Sequence, residues 1–378
     1  MKPSARWWYA AAVLVAAAAG CKERSKKDGS GSEAVASIEG MSAMPASIDA
    51  VLGADVPTLA RSELIDRAVT RMFLGDPGLK KQIDQLFAGC GFRPERDIRT
   101  VLVGMDADGA AIAGIERTLL VASGKLSEGT IASCVSRHMG AMGGGALVET
   151  SVGGRTHYHA DAPTGRQDVW FAFGSENTVV VSSTAELLAE ALGKTPRLAD
   201  DPVMAALIDR ARRPEAALWA AGKLPPDIGK GLASAAGGTV KPPAAIFGSL
   251  VVDKGLNAEI GVELASAEEA KSAVSLAKRQ LAILAQMAQK WRLGPLVARV
   301  AAFATDRTLL LRLALTDAEL SQVLAPIDTP GAGQQTTAPL EDTVDPARER
   351  AGGKGAGDGE RDAAPGGQAP VPEQRKAD

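Results

Sequence analysis

The chain has 378 residues, a formal net charge of −3, 46% hydrophobic residues and only 4% aromatic ones. A balance this close to neutral argues against a nucleic-acid binder, which needs a basic face. The length suffices for one large core or two packed halves, built from Leu, Val, Ile and Ala with few aromatic anchors.

Met1 to Cys21 reads MKPSARWWYAAAVLVAAAAGC. Lys2 and Arg6 make a basic start, Trp7 to Ala19 is an uncharged apolar run, and Ala18, Ala19 and Gly20 are small. That is the layout of a signal peptide over residues 1–20. The run is shorter than the roughly 20 apolar residues of a spanning helix. With cysteine next, the leader resembles that of bacterial lipoproteins. The resemblance implies cleavage after Gly20, a diacylglyceryl thioether on Cys21, and acylation, for example by palmitate, of the new terminus. Each buried methylene contributes about 0.8 kcal/mol, so two or three acyl chains hold a protein on a membrane. The expected address is the bacterial cell envelope, facing the periplasm or the cell surface, with the membrane reached through lipid on Cys21.

Lys22 to Glu33 (KERSKKDGSGSE) is polar and Gly/Ser-rich, so residues 21–45 read as the lipidated cysteine and a flexible tether. From 46 the pattern becomes globular. Ala50 to Val56 reads as a strand, and Pro57 opens a helix on which Leu59, Leu64, Ile65, Ala68 and Met72 fall at helical spacing. A second helix ends at Gly89-Cys90-Gly91. Thr100 to Met105 and Arg117 to Ser123 read as paired strands around the turn residues Asp106 to Gly109. Ser127 caps a helix that ends before Gly143-Gly144-Gly145. Strands follow at Ala146 to Val152, Thr156 to Ala160, Val169 to Phe173 and Thr178 to Ser182, then helices from Thr184 and Asp201.

The programme restarts at Leu218 to Leu224, with Pro225-Pro226 opening a helix. Ala245 to Val252 and Leu256 to Leu264 form a hairpin. Ser266-Ala-Glu-Glu269 is a capping box whose helix buries Val274, Ala277, Leu281, Leu284 and Ala288. Leu296 to Ala304 and Thr308 to Leu315 read as strands, and Asp317 caps a last helix. Residues 329–378 are Gly, Pro, Ala, Gln and charge, a composition that cannot offset chain entropy and is expected to be disordered.

Ala172 to Val181 aligns without a gap on Ala302 to Leu311, and each leads into a matching helix start, Thr184-Ala-Glu-Leu187 and Asp317-Ala-Glu-Leu320. Leu52 to Pro57 parallels Ala220 to Pro225, and the helices at Ser127 and Ser266 correspond. Four colinear matches indicate a duplication, with one half over 46–213 and the other over 214–328. Hairpins alternating with helices indicate an α+β fold, mainly antiparallel sheets with helices on one face. The halves are expected to share one core, with a groove at their junction as the binding surface.

Chemistry-bearing residues are sparse. His157, His159 and Asp161 alternate in HYHAD and point to one face of a strand, so they are the candidate metal ligands. The same stretch reads equally as an exposed hairpin edge, and the balance is against metal. Gly193-Lys194-Thr195 lacks the first glycine of a phosphate loop and closes a helix instead of opening one. Ser275-Leu-Ala-Lys278 resembles the serine-x-x-lysine motif of penicillin-binding enzymes, but lies mid-helix with no Lys-Thr-Gly partner. No cofactor motif and no catalytic residue stands out. Cys90 and Cys134 remain as an even pair, either bridged or two buried thiols. The reading is a non-catalytic envelope lipoprotein that binds or scaffolds an envelope protein or ligand. The rivals are a hydrolase or metal-dependent enzyme at His157 and His159, and a carrier of lipid or another small ligand.

Overall fold

The computed structural model describes residues 37–328, apart from 91–92, 107–116, 142–144, 161–167, 236, 239 and 292. Cys21 with its leader, the stretch 22–33, the tail 329–378, Asp161, Gly143-Gly144 and most of the turn after Asp106 lie outside the described residues. The body begins before residue 46, so the expected tether over 21–45 runs too far. Ile38, Ala43 and Met44 are buried around a 3-10 turn, Gly40–Ala43. The Ile38 amide donates to the Gly174 carbonyl at 3.0 Å and the Leu198 amide to the Met44 carbonyl at 2.9 Å. A single turn has no periodicity to read, which is why composition alone passes over it.

The strands are β1 (Ala50–Asp55), β2 (Ile98–Met105), β3 (Thr118–Gly124), β4 (Leu147–Val152), β5 (Arg155–Ala160), β6 (Val169–Ser175), β7 (Thr178–Ser182), β8 (Leu218–Lys223), β9 (Ala245–Val251), β10 (Leu256–Glu263), β11 (Ala301–Thr305) and β12 (Thr308–Leu315). The helices are α1 (Val56–Ala60), α2 (Glu63–Gly75), α3 (Pro77–Cys90), α4 (Pro94–Asp97), α5 (Glu128–Ala141), α6 (Ala185–Leu192), α7 (Pro202–Ala211), α8 (Pro226–Ala235), α9 (Ala267–Ala288), α10 (Gly294–Ala298) and α11 (Asp317–Asp328). Three boundaries depart from expectation. The last helix starts at Asp317 itself and is capped by Thr316, whose hydroxyl accepts from the Glu319 amide at 3.3 Å. The helix opened by Pro57 breaks at Arg61-Ser62, and Leu296 to Ala298 belong to α10, so their strand starts only at Ala301.

All twelve strands form one antiparallel sheet in the order β11-β12-β10-β9-β8-β1-β2-β3-β7-β6-β5-β4. Outward from the central β1·β8 pair, one side runs β1, β2, β3, β7, β6 and the other β8, β9, β10, β12, β11. The hairpin of β4 and β5 extends the first half alone. Leu52 pairs with Ala220, its own counterpart in the repeat, and Val51↔Ala221 and Gly53↔Trp219 fall symmetrically beside it. A local two-fold axis through the seam produces that register. The Phe173 and Phe303 strands occupy matching places, with Ser175↔Thr178 closing one hairpin and Thr305↔Thr308 the other. The fold is therefore α+β with two repeated halves, and both lie in one compact unit.

Side chains alternate between the two faces of the sheet. Leu119, Val121 and Val180 turn to the face covered by α6, α7 and the segment around Met44. Leu120, Val179 and Val181 turn to the opposite face, against Ile131 and Cys134 of α5. Helices thus pack on both faces, not on the single face expected. The unbroken apolar run Leu119 to Ala122 is the corresponding signature, since a strand covered on both sides need not alternate. Cys90 at the end of α3 is joined to Cys134 of α5 by a disulfide, with Cα atoms 5.4 Å apart.

In the second half the first of these faces turns polar toward β10 and β12. Glu259, which stands where the repeat places Leu119, takes Arg213 and Arg312 as partners, and Glu263 takes Arg210 and Arg307. Arg210 also lies 4.1 Å from the centre of the Phe247 ring.

A cleft at the seam as candidate functional site

A cleft of ≈ 1230 Å³ opens on this face, at the ends of β1, β2, β3 and β8. One wall is Glu39 to Met41, from the segment that composition assigned to a tether, and the other is Arg212, Arg213, Pro214 and Ala216, which follow α7. The floor carries Thr100, Ser123 and Thr178, with Leu102 and Trp219 beside them. The Ser123 and Thr178 hydroxyls lie 3.0 Å apart in hydrogen-bond contact. The repeat explains the open space. The second half has Glu263 in place of Ser123 and Thr308 in place of Thr178, and Arg210 from α7 fills that spot by donating to Thr308 Oγ1 at 2.8 Å.

Five cationic side chains line the cleft, Arg96, Arg99, Lys125, Arg212 and Arg213, against three carboxylates, Glu39, Asp55 and Asp97. Each carboxylate is engaged near its own position in the chain. Asp55 accepts from the Thr58 amide at 2.9 Å and caps α1. Glu39 accepts from the Ser37 hydroxyl at 3.0 Å. Asp97 accepts from Arg96 through two bonds of 2.9 Å and from the Arg93 amide at 2.9 Å. Those bonds, Arg96 first, hold the Asp97 carboxyl below the usual carboxylate range although burial pushes the other way. Arg213 is taken up by Glu259. Arg99 and Arg212 are exposed and, among the described residues, form no ion pair, so their positive charge is directed to the cleft and its solvent.

Arg99 owes its position to an irregularity in the ladder. Ile98 pairs with Gly124 and Thr100 with Ser123, which leaves Arg99 as the extra residue of a bulge. Bulges re-aim side chains in this way. Gly124 is required opposite it, because a Cβ there would lie 2.1 Å from the Asp97 carbonyl oxygen.

The sequence-derived candidates lie elsewhere. His157 and His159 share one face of β5, but β5 is flanked by β4 and β6 and is not the edge of the sheet. His157 is buried, and burial, with Arg155 adding to it, pushes its pKa down. His159 stacks on Trp170 at 3.8 Å between ring centres, with Nε2 3.4 Å from Asp168 Oδ2. Tyr158 points the other way, stacks on Phe171 at 4.7 Å and donates to Glu128 Oε1 at 2.9 Å. Among the described residues no three His, Cys, Asp or Glu side chains gather as a metal site would require. At Gly193-Lys194-Thr195 the chain offers carbonyls, not amides: Arg197 donates to the Gly193 and Ala191 oxygens, and Thr195 donates to the Glu190 oxygen at 2.8 Å. Among the described residues, no helix is long and apolar enough to cross a membrane.

Sequence reasoning placed a groove at the junction of the halves without naming a residue in it. Arg99, Lys125 and Arg212 are far apart in the chain, and the strand register alone assembles them. Searches of protein-family models, curated proteins and solved structures give no match to this chain.

Proposed function

We propose that the protein is a non-catalytic binding protein of the bacterial cell envelope, tethered to a membrane by lipid on Cys21, and that it takes an anionic group of its ligand into the seam cleft. The observation that carries the binding reading is the convergence of Arg99, Lys125 and Arg212 on a cleft whose carboxylates are already engaged. Guanidinium groups suit carboxylate and phosphate, which they bind through paired hydrogen bonds. The hydroxyls of Thr100, Ser123 and Thr178 add neutral hydrogen-bonding capacity to the floor.

Inorganic pyrophosphate is a suitable probe, titrated calorimetrically into the protein and into R99A/R212A. Both arginines are exposed, so their loss should leave stability within about 0.5 kcal/mol. Wild type should bind saturably, more weakly at higher salt, and the double variant should bind about tenfold or more weakly. Equal affinity in the two proteins would sink the cleft as the site. The tether is tested separately by alkyne-palmitate labelling of cells that express wild type or Cys21→Ser. Label on wild type alone is expected, and equal label on both would refute lipidation at this cysteine.

A further inference from the structure

A second hollow lies beside the cleft on the same face of the sheet. Its volume is ≈ 320 Å³, and it is lined by Ser249, Asn257, Glu259 and Arg312 from the strands and by Arg213 and Glu215 from the segment after α7. Arg213 lines the cleft as well. The two hollows adjoin, because Ser249 pairs directly with Trp219, which belongs to the cleft, one strand spacing of about 4.8 Å away.

The repeat shows what this place contains when it serves packing alone. Val51 and Trp219 are counterparts. Val51 pairs with Gly104, so Gly104 corresponds to Ser249, as Leu119 does to Glu259. In the first half the space over Gly104 is filled by the buried side chains of Met44 and Ile48, and a Cβ at Gly104 would lie 2.9 Å from Met44 Sδ. In the second half the corresponding space is the hollow. Exchanging a packed apolar filling for polar groups costs stability unless each polar group finds a partner. Glu259 finds two, accepting from Arg213 and from Arg312 Nε at 2.9 Å. Ser249 and Trp219 find none. They are 9% and 7% exposed, and among the described residues neither the hydroxyl nor the indole N–H has a hydrogen-bond partner. Buried polar groups are as a rule paired, so two orphans side by side between the hollows point to a ligand.

We infer that the cleft and this hollow together form the site of an acidic sugar, a hydroxylated ring that lies in the hollow and carries its phosphate or carboxylate into the cleft. The inference rests on the anion-binding reading of the cleft and names the rest of the ligand. The lining of the hollow selects the class. Two arginines stand against two glutamates, so a second anion would meet Glu215 and a cation would meet Arg312. The indole and the guanidinium groups donate, Glu215 accepts, and Ser249 and Asn257 do both. Hydroxyl groups also donate and accept, so a ring bearing several of them answers the whole set, whereas an apolar ligand would leave it unpaired. Small-molecule sites run from about 300 to 1,000 Å³, and a hollow at the low end of that range suits a single ring.

Isothermal titration calorimetry provides the test, with glucose 1-phosphate, glucose 6-phosphate, glucuronate and galacturonate as probes and inorganic phosphate and acetate as the bare anions. Wild type should bind at least one of the sugar acids about tenfold or more tightly than its bare anion. Whether a sugar phosphate or a uronate binds best tells which anion the cleft takes. S249A/N257A removes a hydroxyl that bonds nothing in the protein and an exposed amide, so stability should hold. It should cancel the advantage of the sugar acid while leaving pyrophosphate binding unchanged. R99A/R212A should weaken sugar acid and pyrophosphate alike. Sugar acids that bind wild type no more tightly than the bare anions, or that bind S249A/N257A equally well, would overturn the inference and leave the cleft standing. Pyrophosphate bound equally by wild type and R99A/R212A would remove the cleft as the anion site, and the inference with it.

Discussion

Asp97 shows how a single residue ties the fold to the cleft. It is 8% exposed and is held by Arg96 and by the Arg93 amide. Its own carbonyl oxygen sits where a Cβ on Gly124 would be. A carboxyl whose folded pKa is depressed stabilises the protein above its unfolded pKa, about 3.9, and that contribution is lost as pH falls through the folded value. Asp97→Asn should therefore lower stability at pH 7 by about 1–3 kcal/mol, because a charge-assisted pair is replaced within a buried site. The gap to wild type should close as the pH is taken well below 3.9. Urea midpoints at neutral and acid pH measure both, and a gap of constant size would rule out the carboxylate as its source. None of this was legible in the sequence. The role of Asp97 depends on Gly124, which only the strand register brings opposite.

At the level of elements, most of the self-contained local chemistry was legible, although the cap expected at Asp317 is made by Thr316 one residue earlier. The caps at Thr184, Asp201 and Ser266 all form, with amides of Leu187, Val203 and Glu269 donating to their side chains at 3.2, 2.9 and 3.2 Å. The repeat was legible because it carries identical residues in a matching hairpin. Where an element is short, tertiary contacts decide and the pattern misleads. Leu296 to Ala298 is apolar enough for a strand, yet Gly294-Pro295 opens a helix there, as proline in a first turn allows. The stripe of α9 has the right period but says nothing of which strands it will meet, so Leu284 was placed in a core that the helix does not reach. Periodicity names the apolar side of a helix and leaves its partner open. The pairing of Cys90 with Cys134 was equally open, because a bridge depends on two Cα atoms coming within about 7 Å and not on spacing in the chain.

For the whole molecule, the governing contact is the seam. Without its partner, each half would expose β1 or β8 as a long edge with unpaired backbone groups, a template for aggregation. The pairing of β1 with β8 removes both edges at once, and the first core continues across it through Val51, Trp219 and Ala221. Trp219 completes the closure by lying over Gly53, where an added Cβ would come within 2.2 Å of the indole. The halves should accordingly unfold together. Gly53→Val forces the indole aside, and overpacking of this sort costs about 1–3 kcal/mol. The expected result is one urea transition in wild type, coincident by tryptophan fluorescence and far-UV circular dichroism, and one transition at lower urea in the variant. If the seam were merely a contact between two self-sufficient domains, G53V would leave each half at its own stability. Two resolved transitions, in either protein, would show that the halves fold separately and that the cleft lies between domains free to move.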